Sequence, residues 1–512
     1  MKFYQLLIPV LIFNSALIAG EIHSNGLGGG PWSDSNTWNG KKVPTATDTA
    51  VISTRDTVVF DRDDSDKATC DSLYIDPNGA LIFKAGGKRV LNVAGVIETY
   101  GTIKMDASGD EKDYMELKMS SSDLQNRFIR LLKGSSLAVA GHADLPDNRY
   151  NAVFNSVVIN PPYTTSTIQA SGQAMIDLHN AQFNNVMILA ESIDNTGSKP
   201  NERLNILQNS FRETAVISLS GCDTPTVLKN TFTGHPTSPP TCALLVQNCP
   251  LADIRENKIV GPYETGINAY GECTATRNSV EKCNVGIIWR GPNGTMKNNT
   301  VSECTYGIQL SSMTGSIEEG TIAKCKTAVY ANGSITQMTS VNVDNPDAKS
   351  VGMELLASSM TLLNCNIKQS QVKVTGSPRP EPEMPWVQSM DYVIVKLKGT
   401  IPSAAQVDIK TTKLGKLPEG AADPNVRNSP APVRGDMTPL PGSFVCLLVN
   451  SWGIGRDGKP VAAPDYTLSV LAPAAAANAA PKLLKTQTIR PVDTWYCADV
   501  SNPKPTVEIT IP

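Results

Sequence analysis

Apolar positions recur through the middle of the chain with a period near 21 residues. An asparagine marks the period at Asn209, Asn230, Asn257, Asn278 and Asn299, and Gly320 takes the next place. The one longer step carries "GHPTSPPT", Gly234 to Thr241, a loop by composition. Two positions after each marker stands an apolar residue: Phe211, Phe232, Ile259, Val280, Val301 and Ile322. That series runs on to Val343 and Ile367 and back to Phe183. Three positions before each marker is a second row: Leu178, Ile206, Val227, Ile254, Ala275, Met296, Ile317, Met338 and Leu362. A third row, Ile267, Ile287, Ile308, Val329 and Met353, usually follows a glycine.

Three short apolar strands per repeat, with small or amide residues between them, are the signature of a solenoid. The segments alternate, as in "GIQL", and are rich in Val, Ile, Thr and Asn, which favours strand over helix. A leucine ladder is absent. The pattern predicts a right-handed parallel β-helix, each coil bonded to its neighbours at about 4.8 Å. Like residues then stack on like. The apolar rows fill the interior, the asparagines bond along the stack at a bend, and the glycine row marks a turn with φ > 0. Fainter coils precede the clear ones in "FIRLLKGSSLAVAG" and "NAVFNSVVINPP".

The ends differ from the middle. Met1 to Gly20 has a basic start, an apolar run from Leu6 to Ile18 and small residues after it, the pattern of an export signal. That run is shorter than the ~20 residues a membrane span requires, and no later segment is apolar enough, so no stable membrane span is expected. Residues 21–110 read as Gly-rich β structure forming an N-terminal cap, 111–374 as the β-helix and 375–385 as a Pro-rich linker. In 386–512, "YVIVKLKG", "SFVCLLVNSWG" and "TVEITIP" alternate like strands of a C-terminal β-sandwich. The fold class is all-β.

Trp38, Pro44, Asp48 and Val51-Ile52, followed by "LYIDPNGALIF" and "VAGVIETYGTIKM", resemble the G8 domain, a glycine-rich β module of secreted and cell-surface proteins. The repeats resemble the pectate-lyase-type β-helix superfamily. The pairing implies an extracellular or cell-surface protein that binds, or acts on, a polysaccharide or cell-surface glycan. No catalytic motif of that superfamily can be placed on this chain.

Composition narrows the chemistry. A formal net charge of −3 over 512 residues gives no reason to expect a nucleic-acid partner. No phosphate loop, nucleotide fingerprint or Cys/His metal set appears, so no cofactor and no metal are expected. There are eleven cysteines. Cys283, Cys304 and Cys325 form one stacked row, read as small buried filler because parallel side chains do not converge for disulfide formation. Cys222 and Cys249 hold equivalent places on adjacent coils, but pairing between them is not favoured. Cys446 and Cys497, outside the helix, are the disulfide candidates.

If the row three before the marker points inward, its flanking residues point out. That places Asp177 and His179 on one coil, then Asp253 and Arg255, then Lys297, then Glu318. Asp177 and Asp253 would lie roughly 14 Å apart at about 4.8 Å per coil, too far for a hydrolytic pair. Asp253, Arg255, Lys297, Glu318 and Arg290 are the candidate ligand-face residues, weighed against a merely solvated face. Glu264, Glu272, Arg277 and Arg290 lie near one edge and could touch a sugar, with Tyr270 and Trp289 at nearby second-strand positions. Trp289, two after Ile287, is expected in the core. His142 and His235 lack a partner in local sequence. The reading is a secreted carbohydrate- or surface-recognition protein without identified catalytic residues. The alternatives are a polysaccharide lyase or glycoside hydrolase, and a structural or adhesive surface protein.

Overall fold

The computed structural model describes residues 20–512 apart from 68, 122, 124–127, 144, 147–148, 157–164, 195–202, 346, 348, 376–386, 403–404, 412–442, 456–458, 462–464, 476–478 and 490–505. The proposed export signal, most of the linker, Cys497 and the side chain of Cys446 therefore lie outside the described residues. Among the described residues no helix is long and apolar enough to cross a membrane. The chain divides into two compact units, 1–182 and 183–512.

In the first unit, short parallel strands stack in columns. Glu21–His23, Thr49–Ile52, Ser72–Ile75, Ile97–Thr99 and Phe128–Leu131 make one column. Gly29–Pro31, Thr57–Phe60, Ala80–Phe83, Thr102–Asp106, Ser136–Ala140 and Met175–His179 make a second. Lys88–Val93, Tyr114–Met119 and Ala152–Ser156 make a third. The segment expected as a Gly-rich cap is thus built of β-helical coils. An aromatic cluster runs through its first three coils. Trp32 meets Trp38 at 4.9 Å and Phe60 at 5.4 Å, both edge-on, and Phe60 meets Phe83 at 5.2 Å. All four rings are buried, and such edge-on pairs add to the stability of the burial itself.

The second unit realises the sequence register. The row three before the marker pairs in order, Ile206 with Val227, Ile254, Ala275, Met296, Ile317, Met338 and Leu362, and all are buried. So do Phe211, Phe232, Ile259, Val280, Val301, Ile322 and Val343. Stacking like on like puts Phe183, Phe211 and Phe232 nearly face to face, at 4.9 and 4.8 Å with tilts of 10° and 12°. The third row gains Leu244 ahead of Ile267, Ile287, Ile308, Val329 and Met353.

The markers form a continuous buried amide ladder. The Oδ1 of each of Asn230, Asn257, Asn278 and Asn299 accepts from both the backbone N–H and the Nδ2 of the marker one coil earlier, at 2.9–3.1 Å. The second Nδ2 proton of Asn230, Asn257, Asn278 and Asn299 goes to the carbonyl of Ile206, Val227, Ile254 and Ala275. The interior Asn230, Asn257 and Asn278 therefore spend both amide protons and the carbonyl oxygen without water.

The turns are not where the glycine row suggested. Gly266, Gly286 and Gly307 do not have positive φ. They are required by close approach: a Cβ on Gly286 would stand 2.3 Å from Val301 Cγ1 and 2.6 Å from Gly307 O. The left-handed corners lie elsewhere and are filled mostly by ordinary residues. One corner precedes the marker, at Gln208, Lys229, Glu256, Arg277, Asn298 and Glu319. A second follows the third strand, at Lys282, Glu303 and Lys324, and a third follows the first strand, at Asn248, Gly271, Gly291, Ser312 and Gly333. Each non-glycine residue there costs roughly 1–2 kcal/mol, offset by stacked hydrogen bonds and burial along the rows.

Beyond the coils, Val387–Gly399 begins as a parallel neighbour of Ser359–Leu363 and then pairs antiparallel with Ser443–Ile454 and parallel with Thr506–Ile511. Gln406–Thr411, Tyr466–Ala472 and Lys482–Ile489 form a separate antiparallel sheet. Val395, Leu397 and Ile509 from the first group share one apolar cluster with Val407, Leu468 and Val470 from the second. Among the described residues this is the structure of the segment for which a β-sandwich was expected.

Asn257→Ala removes a mid-ladder amide and strands the buried N–H of Asn230 and the carbonyl of Val227. At about 1–3 kcal/mol per buried unpaired group, it should lower the melting temperature more than Asn299→Ala, which sits at the ladder's end. Equal melting curves for the two variants would count against a continuous ladder. Gly286→Ala should cost about 1–3 kcal/mol through overpacking, while Gly109→Ala, with nothing within 4 Å of the new Cβ, should leave thermal unfolding unchanged.

Candidate functional site

The candidate ligand face is assembled, but its charges are already paired. Arg255, Thr276, Lys297, Glu318 and Thr339 form one row across successive coils, with Asp253 in the row beside it. The Arg255 guanidinium lies 2.8 Å from the Asp253 carboxylate, and Lys297 Nζ lies 3.8 Å from Glu318 and 4.0 Å from Glu319. Arg290 belongs to a different face, in a row with Tyr270, Ser311 and Asn332. Tyr270 is 45% exposed, whereas Trp289 is fully buried, as its register implies. Asp177 and His179 are joined at 2.7 Å in the first unit. His235 does find a carboxylate, Glu213 at 3.4 Å, one coil away and so invisible in local sequence.

A different feature collects unpaired charge. The corner after the third strand places Lys282, Glu303 and Lys324 at φ of 59°, 56° and 54°. The next residue on each coil is Cys283, Cys304 or Cys325, at 5%, 4% and 1% exposure. An open groove of about 930 Å³ runs along this corner, with Asn284, Thr305 and Lys326 on one side and Asp347, Lys349 and Ser350 at one end. Four lysines therefore line it against two carboxylates. Glu303 is engaged by Lys324 at 3.7 Å, and Asp347 accepts the Lys349 backbone N–H at 2.9 Å. Among the described residues, Lys282, Lys326 and Lys349 have no carboxylate within ion-pair distance.

The cysteine row lies buried behind the groove. Each thiol donates to the carbonyl two residues back: Cys283 to Glu281 at 3.5 Å, Cys304 to Ser302 at 3.2 Å and Cys325 to Ala323 at 3.3 Å. Thiol contact with Cys283, together with burial, pushes Cys304 up to about 12, and contact with Cys304 raises Cys325 further. Cys304 and Cys325 are thus held as protonated thiols, which are poor nucleophiles and poor metal ligands. All three are free, as are Cys222 and Cys249, which meet through the Cys222 N–H and the Cys249 sulfur at 3.3 Å. Among the described residues no three His, Cys, Asp or Glu side chains could hold a metal ion. The groove thus offers cations and hydroxyls on a rigid frame.

This groove was missed in the sequence because its lysines look like solvated surface when read locally. The available signal was the 21-residue spacing of Lys282, Glu303 and Lys324 immediately before the cysteine row.

Residues 37–142 match the family model of the G8 domain, and residues 214–372 match that of the right handed beta helix region. No curated protein matches the chain. The chain therefore carries a G8 domain followed by a right-handed β-helix.

Cys304 should resist iodoacetamide at pH 8 in the folded protein and react fully once unfolded, as read by peptide mass mapping. Fast alkylation of the native protein would mean the row is open and ionised.

Proposed function

We propose that the protein is a secreted, non-catalytic binder of carbohydrate. Its ligand is an anionic stretch of polysaccharide or cell-surface glycan, seated in the groove beside the cysteine row. The observation that carries this reading is the excess of lysine there, three of the four without a carboxylate partner, along a corner that repeats on three successive coils. The unpaired Lys282 and Lys326 stand on coils two apart, roughly 10 Å at the spacing of stacked strands, so a regularly charged chain lying along the groove can meet both. Lysine suits sulfate or carboxylate groups as a flexible point charge. The paired face of Asp253, Arg255, Lys297 and Glu318 has less to offer a charged ligand, because binding there would first break existing ion pairs.

Immobilised heparin and polygalacturonate should both retain the protein at low salt, and neutral dextran should not. Retention should fall steeply as salt screens the contact. Lys282→Ala combined with Lys326→Ala should weaken binding about tenfold with an unchanged melting temperature, whereas Lys297→Ala should change little. Equal retention of the double variant would sink the groove assignment. Oligosaccharides released from any substrate, detected by mass spectrometry, would replace the binding reading with an enzymatic one.

A further inference from the structure

Three asparagines in the chain are followed two positions on by Ser or Thr with a non-proline between: Asn293-Gly294-Thr295, Asn298-Asn299-Thr300 and Asn332-Gly333-Ser334. This is the acceptor pattern for N-linked glycosylation. The motif is short and arises by chance, so its placement decides whether it can be used. Most described asparagines are buried or half-buried, yet all three of these are exposed. Asn293 and Asn298 are left-handed corner residues, at φ of 60° and 55°, and Asn332 directly precedes the left-handed corner at Gly333. Among the described residues the side chains of Asn298 and Asn332 make no hydrogen bond, and Asn293 makes one, to the exposed Glu272 at 2.7 Å.

The ladder explains why the pattern falls only off it. Two positions after each ladder asparagine the register demands a core residue, Phe211, Phe232, Ile259, Val280 or Val301, so no hydroxyl can stand there. In "NNT" the first asparagine faces solvent and the second is the ladder residue Asn299. The corner can carry a branched sugar at no cost in packing, while the ladder position could not.

We infer that Asn293, Asn298 and Asn332 are N-glycosylation sites. The inference rests on the reading of the protein as secreted. The donor is an oligosaccharide carried on a polyprenyl diphosphate. A bond forms between the asparagine Nδ2 and the sugar C1, the C1–O bond to phosphate breaks, the lipid diphosphate leaves and the amide gives up one proton. The Ser334 hydroxyl is buried and donates to Asn332 O at 3.1 Å, so transfer to Asn332 precedes closure of that coil. The glycans would occupy the corners before the marker and after the first strand. Asn332 shares its row with Tyr270, Arg290 and Ser311, which a glycan would cover. The corner of Lys282, Glu303 and Lys324 carries no acceptor, and its groove stays open.

The test is expression of the full chain in a eukaryotic cell line. Protein from the medium is treated with peptide-N-glycosidase in ¹⁸O-water, and peptides are mapped for asparagine converted to labelled aspartate. Labelling at 293, 298 and 332 is expected, with stepwise loss of the mobility shift in Asn293→Gln and Asn332→Gln. Thr300→Ala is the matching variant for Asn298, since it leaves the left-handed corner untouched. Secreted protein with all three asparagines unmodified would overturn the inference. If nothing reaches the medium, the secretion reading fails. The same mapping on a chain whose first 20 residues are replaced by a proven export signal then decides the sites separately: labelled sites uphold them, and bare asparagines in exported protein overturn them.

Discussion

A buried amide has one demand, that each of its protons and its oxygen meet a partner, and in this solenoid the partner is the same residue one coil away. That constraint fixes the vertical register of the coils from Asn209 to Asn299. A slip of one residue along a strand would turn each inward side chain outward. It would also leave Asn230, Asn257 and Asn278 buried with nothing to bond. Apolar stacking alone tolerates some slippage, because Val, Ile and Met substitute for one another along the rows. The amide ladder does not, since it needs the next asparagine at one height. The hydrophobic rows supply most of the burial and the ladder supplies the alignment. With the coils aligned, a sequence offset of 21 residues becomes a vertical offset of one strand spacing.

That translation explains what could be read without coordinates. The three inward rows, the aromatic stack begun at Phe183 and the buried Trp289 were legible because a core position constrains residue type in each coil. The corners were not. The sequence suggested that glycine would mark the left-handed turns, since glycine adopts that conformation freely. Instead Lys282, Glu303, Arg277 and Glu256 hold left-handed backbone, and the glycines at 266, 286 and 307 serve close packing. A corner whose neighbours above and below are bonded into the same bend is over-determined by its context. Its side chain points to solvent and carries no pattern beyond polarity. Reading backbone conformation from residue type fails where tertiary stacking, rather than intrinsic preference, selects the conformation.

The candidate site follows the same division. The face of Asp253, Arg255, Lys297 and Glu318 was legible because it flanks an inward row, but legibility of position gave no information about charge pairing. Opposite charges neutralise each other when the solenoid brings them within 4 Å, side by side on one strand as in Asp253 and Arg255 or one above the other as in Lys297 and Glu318. The groove corner is the reverse case. Lys282, Lys326 and Lys349 are far apart in sequence and unremarkable one at a time, and only the coil-to-coil superposition gathers them. His235 and Glu213 make the same point in miniature.

Selectivity in such a molecule then becomes a matter of which corners are left bare. Polar residues recur at the corners of successive coils, so a repetitive ligand such as a glycan chain would find many weakly favourable places to lie. A binding corner is distinguished by uncompensated charge and by an absence of bulk. The corner above the cysteine row has both: lysine without matching carboxylate, and small buried thiols that keep the wall low without adding reactivity. The corner holding Asn293, Gly333 and Asn332 has one lone cation, Arg290, and lacks the low wall, because the half-exposed ring of Tyr270 stands in the same row. Cysteine is well suited to the low wall. It packs close beside Gly286 and Gly307, bonds to its own turn through the S–H, and at a pKa pushed up to about 12 for Cys304 adds no negative charge to repel an anionic ligand.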